Sequence, residues 1–565
     1  MKRPPVPAAL PRKVLAEGLG GARSSAGAVG LEIGALLLSA LLFALSFPSF
    51  LSRWGWFPLA YVALLPVFIV IHRTGWLGAA LYGALFGYVS YALYNYWLAS
   101  FHPLTLVIVP PIYAFYVLVA FLALKAADLL APRYGFLLQS LLWVAYELWK
   151  VQGFLGYSYG TIGYSQYLFR PLARSAALTG VWGISWLVVF PSSWLAALLR
   201  AGPRRLGESL RRTWLPAAGW ALLFAGALAY GLLAKADLGR ARPWRVALVQ
   251  QNIDPWRGGY KAYGESLRIL IRRSREAARG DPDIVIWSET SFVPAIDWHT
   301  RYRTDLEAYE LVRQLREFLA GQPMPYLIGN DDGRLKRMDD GSEQRVDYNA
   351  TLLFRDGRLL QAYRKLRLVP FTEQFPYRKW LPGVYNWLRN ADTHFWEAGS
   401  EYTVFEAGGV RFSTPICFED TFSELCREFI RRGAEVLINM TNDSWSKSVA
   451  CEMQHMSIAL FRAVENRRTL VRATNGGITC VIDPNGRITA MLPPFTEGCL
   501  SAVAPVYAQG RTLYSRWGDW FAVLCLILSG AGLAAGLLRR LLARKPVPAT
   551  RALPCVSMRY LRSLR

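Results

Sequence analysis

Charge is scarce in this chain. Of its 565 residues, 18% are Asp, Glu, Lys or Arg, while 53% are hydrophobic. Soluble domains carry about 25% charged residues, so a wholly soluble protein is excluded and a membrane protein is indicated. Acidic residues are the scarcer sign, 40 against 64 basic ones, for a formal net charge of +24. Cysteine is also sparse. The seven present are an odd number without a CxxC pair, which excludes a disulfide framework and zinc-ligand spacing. The five histidines are scattered, so neither a metal nor a cofactor is expected. The apolar runs show no internal repeat, which weakens a transporter built from repeated halves.

The net charge has two readings. A basic chain suggests a nucleic-acid partner. Here the basic residues cluster in tails and short loops, as they do where spans meet the cytoplasm. No nucleic acid is therefore expected.

A bilayer crossing needs about 20 apolar residues. Eight runs qualify, near 31–50, 57–72, 77–99, 104–124, 134–150, 176–199, 214–235 and 517–538. The first follows a long basic stretch and reads as a retained span, since a cleaved signal starts nearer the terminus. Basic residues alternate by side. Lys2, Arg3, Arg12, Arg73, Lys125, Arg133, Arg200, Arg204 and Arg539 fall on one side, against little beyond Arg53, Arg170 and Arg174 on the other. Both termini are then cytoplasmic, and parity puts the long polar stretch between runs seven and eight outside. The expected organisation is a basic tail (1–29), a seven-span domain (30–235), a soluble domain (236–516), an eighth span (517–538) and a second basic tail (539–565). That last tail either is disordered or binds anionic lipid.

Glu147 sits near the end of run five. An ionisable residue at membrane depth is a functional candidate; the alternative is an interfacial partner of Lys150. The Gly- and Tyr-rich stretch 153–167 reads either as a lip for a lipid chain or as an ordinary interfacial loop.

The soluble block alternates strands and helices. Strands are expected at 245–250, 283–287, 326–329, 348–354, 359–363, 404–406, 410–416, 435–440 and 469–474, with hairpin turns at Asp356-Gly357, Gly408-Gly409 and Pro484-Asn485-Gly486. Helices are expected at 263–278, 304–319, 422–432 and 453–467. Hairpins mixed with crossovers imply a mixed sheet covered by helices.

Three stretches of this block hold one acid, one amine and one thiol. They are Ile286-Trp287-Ser288-Glu289-Thr290, Tyr363-Arg364-Lys365-Leu366-Arg367-Leu368-Val369-Pro370-Phe371 and Pro415-Ile416-Cys417-Phe418-Glu419-Asp420. Cys417 ends an apolar run before a helix, where aligned amides favour a thiolate; a buried structural cysteine is the plainer reading. Lys365 lies in a basic run that heads into an apolar one. Glu289 ends a strand and could equally cap a helix. Converging, the three would suit acyl transfer through a thioester.

In order and context the three resemble the Glu–Lys–Cys triad of the nitrilase (carbon–nitrogen hydrolase) superfamily. Over about residues 30–540 the chain resembles one membrane branch, the apolipoprotein N-acyltransferases. Leu368-Val369-Pro370-Phe371-Thr372-Glu373 resembles that family's LVPFGE run, and Thr441-Asn442-Asp443-Ser444-Trp445 its NDAW loop. Gln454-His455, 473–478 and 163–166 fit as well. There are departures: Ser288 in place of Pro, Thr372 of Gly, Gln374 and Phe418 of Tyr, and Ser446-Lys447-Ser448 in place of Phe-Gly.

The resemblance implies an eight-span helical membrane domain with an extracytoplasmic αββα sandwich inserted between spans seven and eight. It implies Glu289 as base, Cys417 as nucleophile, and Lys365 with the Phe418 N–H as oxyanion donors, supported by Glu373 and Glu419. Substrate contacts are expected from Trp256 or Tyr260, from Trp445 and from Glu147. The donor would be a phospholipid and the acceptor a diacylglyceryl apolipoprotein, handled by a monomer in a bacterial inner membrane. The alternative is a membrane-tethered amidase that hydrolyses a small amide.

Overall fold

A computed structural model describes residues 26–100, 105–254, 258–338, 341–390 and 395–543. Trp256, most of both basic tails and the start of run four lie outside the described residues. The longer helices of the N-terminal half are α1 (Ala26–Leu45), α2 (Leu65–Arg73), α3 (Trp76–Tyr94), α4 (Thr105–Leu130), α5 (Gly135–Lys150), α6 (Val181–Arg200) and α7 (Leu206–Leu233). Then come α8 (Gly259–Ala278), α9 (Leu306–Ala320), α10 (Pro382–Asn390), α11 (Ser423–Arg431), α12 (Val449–Asn466) and α13 (Trp520–Leu542).

Among the described residues six helices are long and apolar enough to cross a membrane: α1, α3, α4, α6, α7 and α13. Run two is a shorter apolar stretch, Phe57–Arg73, broken into separate helical pieces. Run five, α5, has only 16 residues. At 1.5 Å per residue it reaches ~24 Å, short of the ~30 Å hydrocarbon core. Run six is divided, because Gly180 at φ 65° ends one helical turn and α6 starts at Val181.

The soluble block holds two six-stranded sheets rather than one mixed sheet. The strands are β1 (Arg242–Gln250), β2 (Ile284–Ile286), β3 (Tyr326–Arg337), β4 (Glu343–Arg355), β5 (Arg358–Arg364), β6 (Phe405–Ala407), β7 (Val410–Ser413), β8 (Val436–Thr441), β9 (Thr469–Thr474), β10 (Cys480–Ile482), β11 (Ile488–Met491) and β12 (Gly498–Val506). Their orders are β12-β1-β2-β3-β4-β5 and β11-β10-β9-β8-β7-β6. Each has a parallel centre, β1-β2-β3 or β7-β8-β9, with antiparallel strands outside it. The expected hairpin at Asp356-Gly357 forms, both residues taking positive φ, as a tight two-residue turn requires.

The inner faces of the two sheets share one core, which includes Val246, Ile284 and Leu327 from one and Phe412, Ile438 and Val471 from the other. Behind the first sheet, α8 and α9 close a separate core around Leu267, Leu270, Val312 and Leu315. Behind the second lies α12. Its Met456, Phe461 and Val464 join a core that continues into Phe68, Phe121 and Val188 of the membrane half. Specific bonds cross the boundary. Gln454 donates to the Pro48 and Tyr94 carbonyls at 2.8 and 3.1 Å and accepts from the Trp97 indole at 2.9 Å. Arg462 donates to the Tyr164 hydroxyl at 3.0 Å.

Candidate active site

Glu289 lies in the turn after β2. The turn rests on β3 so closely that a Cβ on Gly329 would meet the Ser288 carbonyl oxygen at 2.3 Å. Only glycine leaves room there. The next residue, Thr290, is held at φ 42°. The Glu289 carboxylate is almost fully buried. Its Oε1 accepts from Asn349 Nδ2 at 2.8 Å and from Lys365 Nζ at 3.2 Å, and its Oε2 from the Asn442 backbone N–H at 2.9 Å.

Lys365 follows β5 and is wholly buried. Its Nζ also donates to Glu373 Oε1 at 2.8 Å, and Glu373 Oε2 accepts from the Val369 N–H at 2.8 Å. The loop between Lys365 and Glu373 turns at Phe371, φ 66°.

Cys417 follows β7 and is itself at φ 48°. Left-handed backbone at a residue with a side chain costs about 1–3 kcal/mol and gathers at functional sites. Here one such residue stands in each of the three motifs. Glu419 holds the turn from below. Its carboxylate accepts from the N–H groups of Ile416, Leu366 and Arg367 and from the Tyr363 hydroxyl, at 2.7–2.9 Å. One buried carboxylate thus ties the Cys417 turn to the loop after Lys365. A parallel bridge joins Ile416 to Met440, two residues before Asn442, and so links the Cys417 turn to the Glu289 carboxylate.

The electrostatics agree with this convergence. Burial pushes the Cys417 thiol well up, Glu289 adds to the rise and Lys365 opposes it. The expected helix-favoured thiolate is therefore corrected. Only a single turn, Cys417–Thr421, follows directly, and a neighbouring carboxylate outweighs so short a dipole. Burial and the Glu289 charge together disfavour a thiolate at this position. Burial disfavours the Lys365 charge, but Glu289 and Glu373 outweigh it and hold the ammonium form well above the ordinary lysine range. Burial, with help from Glu289, raises Glu373, and burial raises Glu419 to about 7.

Sequence reasoning missed the layer beneath. His455 on α12 bonds Asp443 through Nδ1 and Asp420 through Nε2, each at 2.9 Å. Arg472 on β9 donates to Asp420 at 2.7 Å and to Asp443 at 3.5 Å. All four are buried. Burial opposes charge on His455, but Asp443 and Asp420 prevail and raise it to about 9. Asp420 is three residues from Cys417, and Asp443 follows Asn442. The lattice therefore fixes both loops. Gln454-His455 was visible as a pair; its two carboxylate partners are distant in sequence.

The membrane half forms the rim. The stretch 153–167 lies over the site: the Tyr157 ring is 6.4 Å from Phe418, Tyr159 is 6.2 Å from His455, and Phe154 is 5.6 Å from Phe371. Trp445 is half-buried, 5.7 Å from Trp97. Glu147 is wholly buried and accepts from the Ile162 N–H at 2.7 Å and the Trp143 indole at 3.2 Å; Lys150 donates to the Tyr159 carbonyl at 2.8 Å. Both thus brace that stretch from behind. Tyr260 is 38% exposed at the start of α8, bonded to Asp305, and is not joined to the Glu289–Lys365 network by any bond among the described residues.

Comparison with known proteins accounts for both halves. Residues 245–507 match the carbon-nitrogen hydrolase family, and residues 39–194 match the apolipoprotein N-acyltransferase N-terminal domain. The chain is 42% identical to apolipoprotein N-acyltransferase 1 of Treponema denticola, over 90% of this chain and 97% of that one. It is 43% identical to the Treponema pallidum protein of the same name, over 90% and 95%. To the Geobacter metallireducens apolipoprotein N-acyltransferase it is 32% identical, over 89% and 94%. These relatives do not favour the small-amide hydrolase alternative. With a membrane half and a hydrolase-type half matched in one alignment, the chain belongs to the apolipoprotein N-acyltransferase family.

Proposed function

We propose that this acyltransferase moves an acyl chain from a phospholipid, through a thioester on Cys417, to the α-amino group of a lipoprotein's N-terminal diacylglyceryl cysteine. Glu289 takes the thiol proton while Cys417 Sγ attacks the ester carbonyl carbon. Lys365 and the Phe418 N–H stabilise the oxyanion, where fixed donors lower the barrier most. The ester C–O bond breaks, and Glu289 passes its proton to the departing lysophospholipid. The lipoprotein amine then attacks the thioester carbonyl, Glu289 accepts an amine proton, the C–S bond breaks, and Glu289 returns the proton to the Cys417 sulfur to restore the thiol. Glu373 keeps Lys365 charged and in place. Glu419 positions the Cys417 turn and does not touch the reacting atoms.

The observation that carries this reading is Lys365 Nζ, fully buried at 3.2 Å from Glu289 and 2.8 Å from Glu373, beside a neutral thiol roofed by membrane-half aromatics. A thioester is lost to water in an open site, so a covered one suits transfer over hydrolysis. Two lipid-anchored substrates also need a site at the bilayer surface. The proposed topology is eight crossings, with α5 and Phe57–Arg73 completing the set, and residues 236–516 inserted before the last. Both termini then lie in the cytoplasm and the catalytic domain outside it, in a bacterial inner membrane, as a monomer. Tyr260, Trp445 and residue 256 are candidates for substrate contact at the rim.

Mass spectrometry of purified protein exposed to phospholipid vesicles tests the chemistry. An acyl adduct on Cys417, lost in Glu289→Gln, is expected. An adduct on Cys426 or Cys451 instead overturns the assignment.

A further inference from the structure

A cavity of about 420 Å³ lies between the membrane half and the second sheet, lined by Arg170, Arg174, Lys235, Asp483, Asn485 and Arg487 among others. It is remote from the triad. In β10, Ile482 pairs with Leu470, near the start of β9, so the turn 483–487 sits at that end of the sheet. Cys417 lies at the other end, where Ile416 bridges Met440 near the end of β8.

The cavity is built from three segments tied together. Arg174 donates to the Asn485 carbonyl at 3.0 Å and the Gly231 carbonyl at 3.1 Å. The Asn485 side chain bonds both the N–H and the carbonyl of Ala236, at 2.8 and 3.0 Å. Asp483 accepts from the N–H groups of Asn485 and Arg487 and so fixes the turn. Four cationic side chains then face this one carboxylate. Arg170, Lys235 and Arg487 are exposed and make no ion pair among the described residues. Arg174 is pulled down by burial and then by Arg170, with Asp483 only partly compensating. The lining thus carries a net positive charge, four cations to one carboxylate.

Its height suggests what answers it. The last turn of α7 presents Leu232 and Leu233, 52% and 85% exposed, just before Lys235. Bare leucines under clustered cations mark the level where acyl chains give way to headgroups. Arginine forks also match phosphate oxygens well.

We infer that this cavity holds the phosphate headgroup of an anionic phospholipid, at a site separate from the triad. Such a lipid anchors the far end of the catalytic domain to the membrane half by charge, where the near end is anchored by Trp97 and Gln454.

Native mass spectrometry of the full-length protein, titrated with phosphatidylglycerol or phosphatidylcholine, tests this. Wild type should retain one phosphatidylglycerol more tightly than phosphatidylcholine. Arg170→Ala/Lys235→Ala/Arg487→Ala, which leaves the structural Arg174 alone, should weaken retention at least tenfold, since each surface cation is worth roughly fivefold toward anionic lipid. Asp483→Asn, which keeps an acceptor oxygen for the turn, should strengthen retention, a gain that misfolding cannot mimic. Equal retention by wild type and the triple variant, or no preference for phosphatidylglycerol, overturns the proposal. Displacement of the lipid by millimolar inorganic phosphate overturns the lipid assignment in favour of a free phosphate site.

Discussion

The two sheets share one plan but not one environment. Both have a parallel centre and antiparallel edges, and both carry helices on the outer face. Behind the first sheet, α8 buries only six of its 20 residues, and its charges, such as Arg273 with Glu497, are open to water. Behind the second, every residue of α12 from Ala450 to Asn466 is buried, including Gln454, His455, Arg462 and Glu465. A soluble enzyme could use the first arrangement twice. Here the second helix layer has become the seam with the membrane half. Glu289, the proposed base, follows a strand of the free sheet, and Cys417, the proposed nucleophile, a strand of the sheet that is sealed in. Polar groups at the seam must be paired, because an unpaired buried charge costs several kcal/mol.

Four experiments would break or sharpen that contrast. The largest effect is at the junction of the sheets. Glu289→Gln should lower acyl transfer by about 10²–10⁴-fold, the usual range for a lost general base, with the fold intact by circular dichroism. A wild-type rate would remove Glu289 from the chemistry.

Next comes the seam lattice. Arg472→Met leaves Asp420 and Asp443 sharing only His455, and should cost about 3–5 kcal/mol. Arg273→Ala on the outer helix layer should cost less than ~1 kcal/mol, as solvent-exposed pairs do. Thermal unfolding of both in detergent measures the difference; equal losses would erase the contrast.

The lattice should also show in pH dependence. His455 is raised from about 6.5 to about 9. Its stabilising contribution is fully present below pH ~6.5 and falls away as pH rises through ~9, by at most ~3 kcal/mol. The melting temperature should fall over that window, and His455→Gln should flatten the fall. An unchanged slope in the variant assigns it elsewhere.

The smallest effect is at the crossing itself. Gln454→Leu strips donors from the Pro48 and Tyr94 carbonyls and should cost ~1–3 kcal/mol, against ~0.5 kcal/mol or less for Arg268→Ala on exposed α8. Unfolding midpoints in detergent separate the two.

Legibility followed the same division. The three motif residues stood out because each adjoins a strong apolar strand, and the structure brings all three together. The turns at Asp356-Gly357 and Gly408-Gly409 were readable from local backbone preference alone. Strand β12 was not, since Gly498–Val506 mixes small and apolar residues without clear alternation and is specified by its pairing with β1. Asn349 and Asn442, which fix the Glu289 carboxylate, and the partners of His455 left no local trace, because nothing in sequence links residues that meet only across folded strands. The helix α10 was also missed: it is short, and an early proline heads it. Run five looked like a crossing by its apolarity, but its 16 residues are sheltered by neighbouring helices, which relaxes the demand on length.

The bonds of Glu419 have a consequence for traffic through the site. One carboxylate grips the turn of Cys417 and the loop after Lys365 together, which opposes their parting to admit a substrate. What can yield is the membrane-half rim of Phe154 and Tyr157, which meets these loops through ring contacts with Phe371 and Phe418 and through a bond from the Arg367 guanidinium to the Gly153 carbonyl at 3.3 Å. On the proposed mechanism, the leaving group of the first step and the incoming amine would both pass this rim, and its opening would govern how long an acylated Cys417 persists.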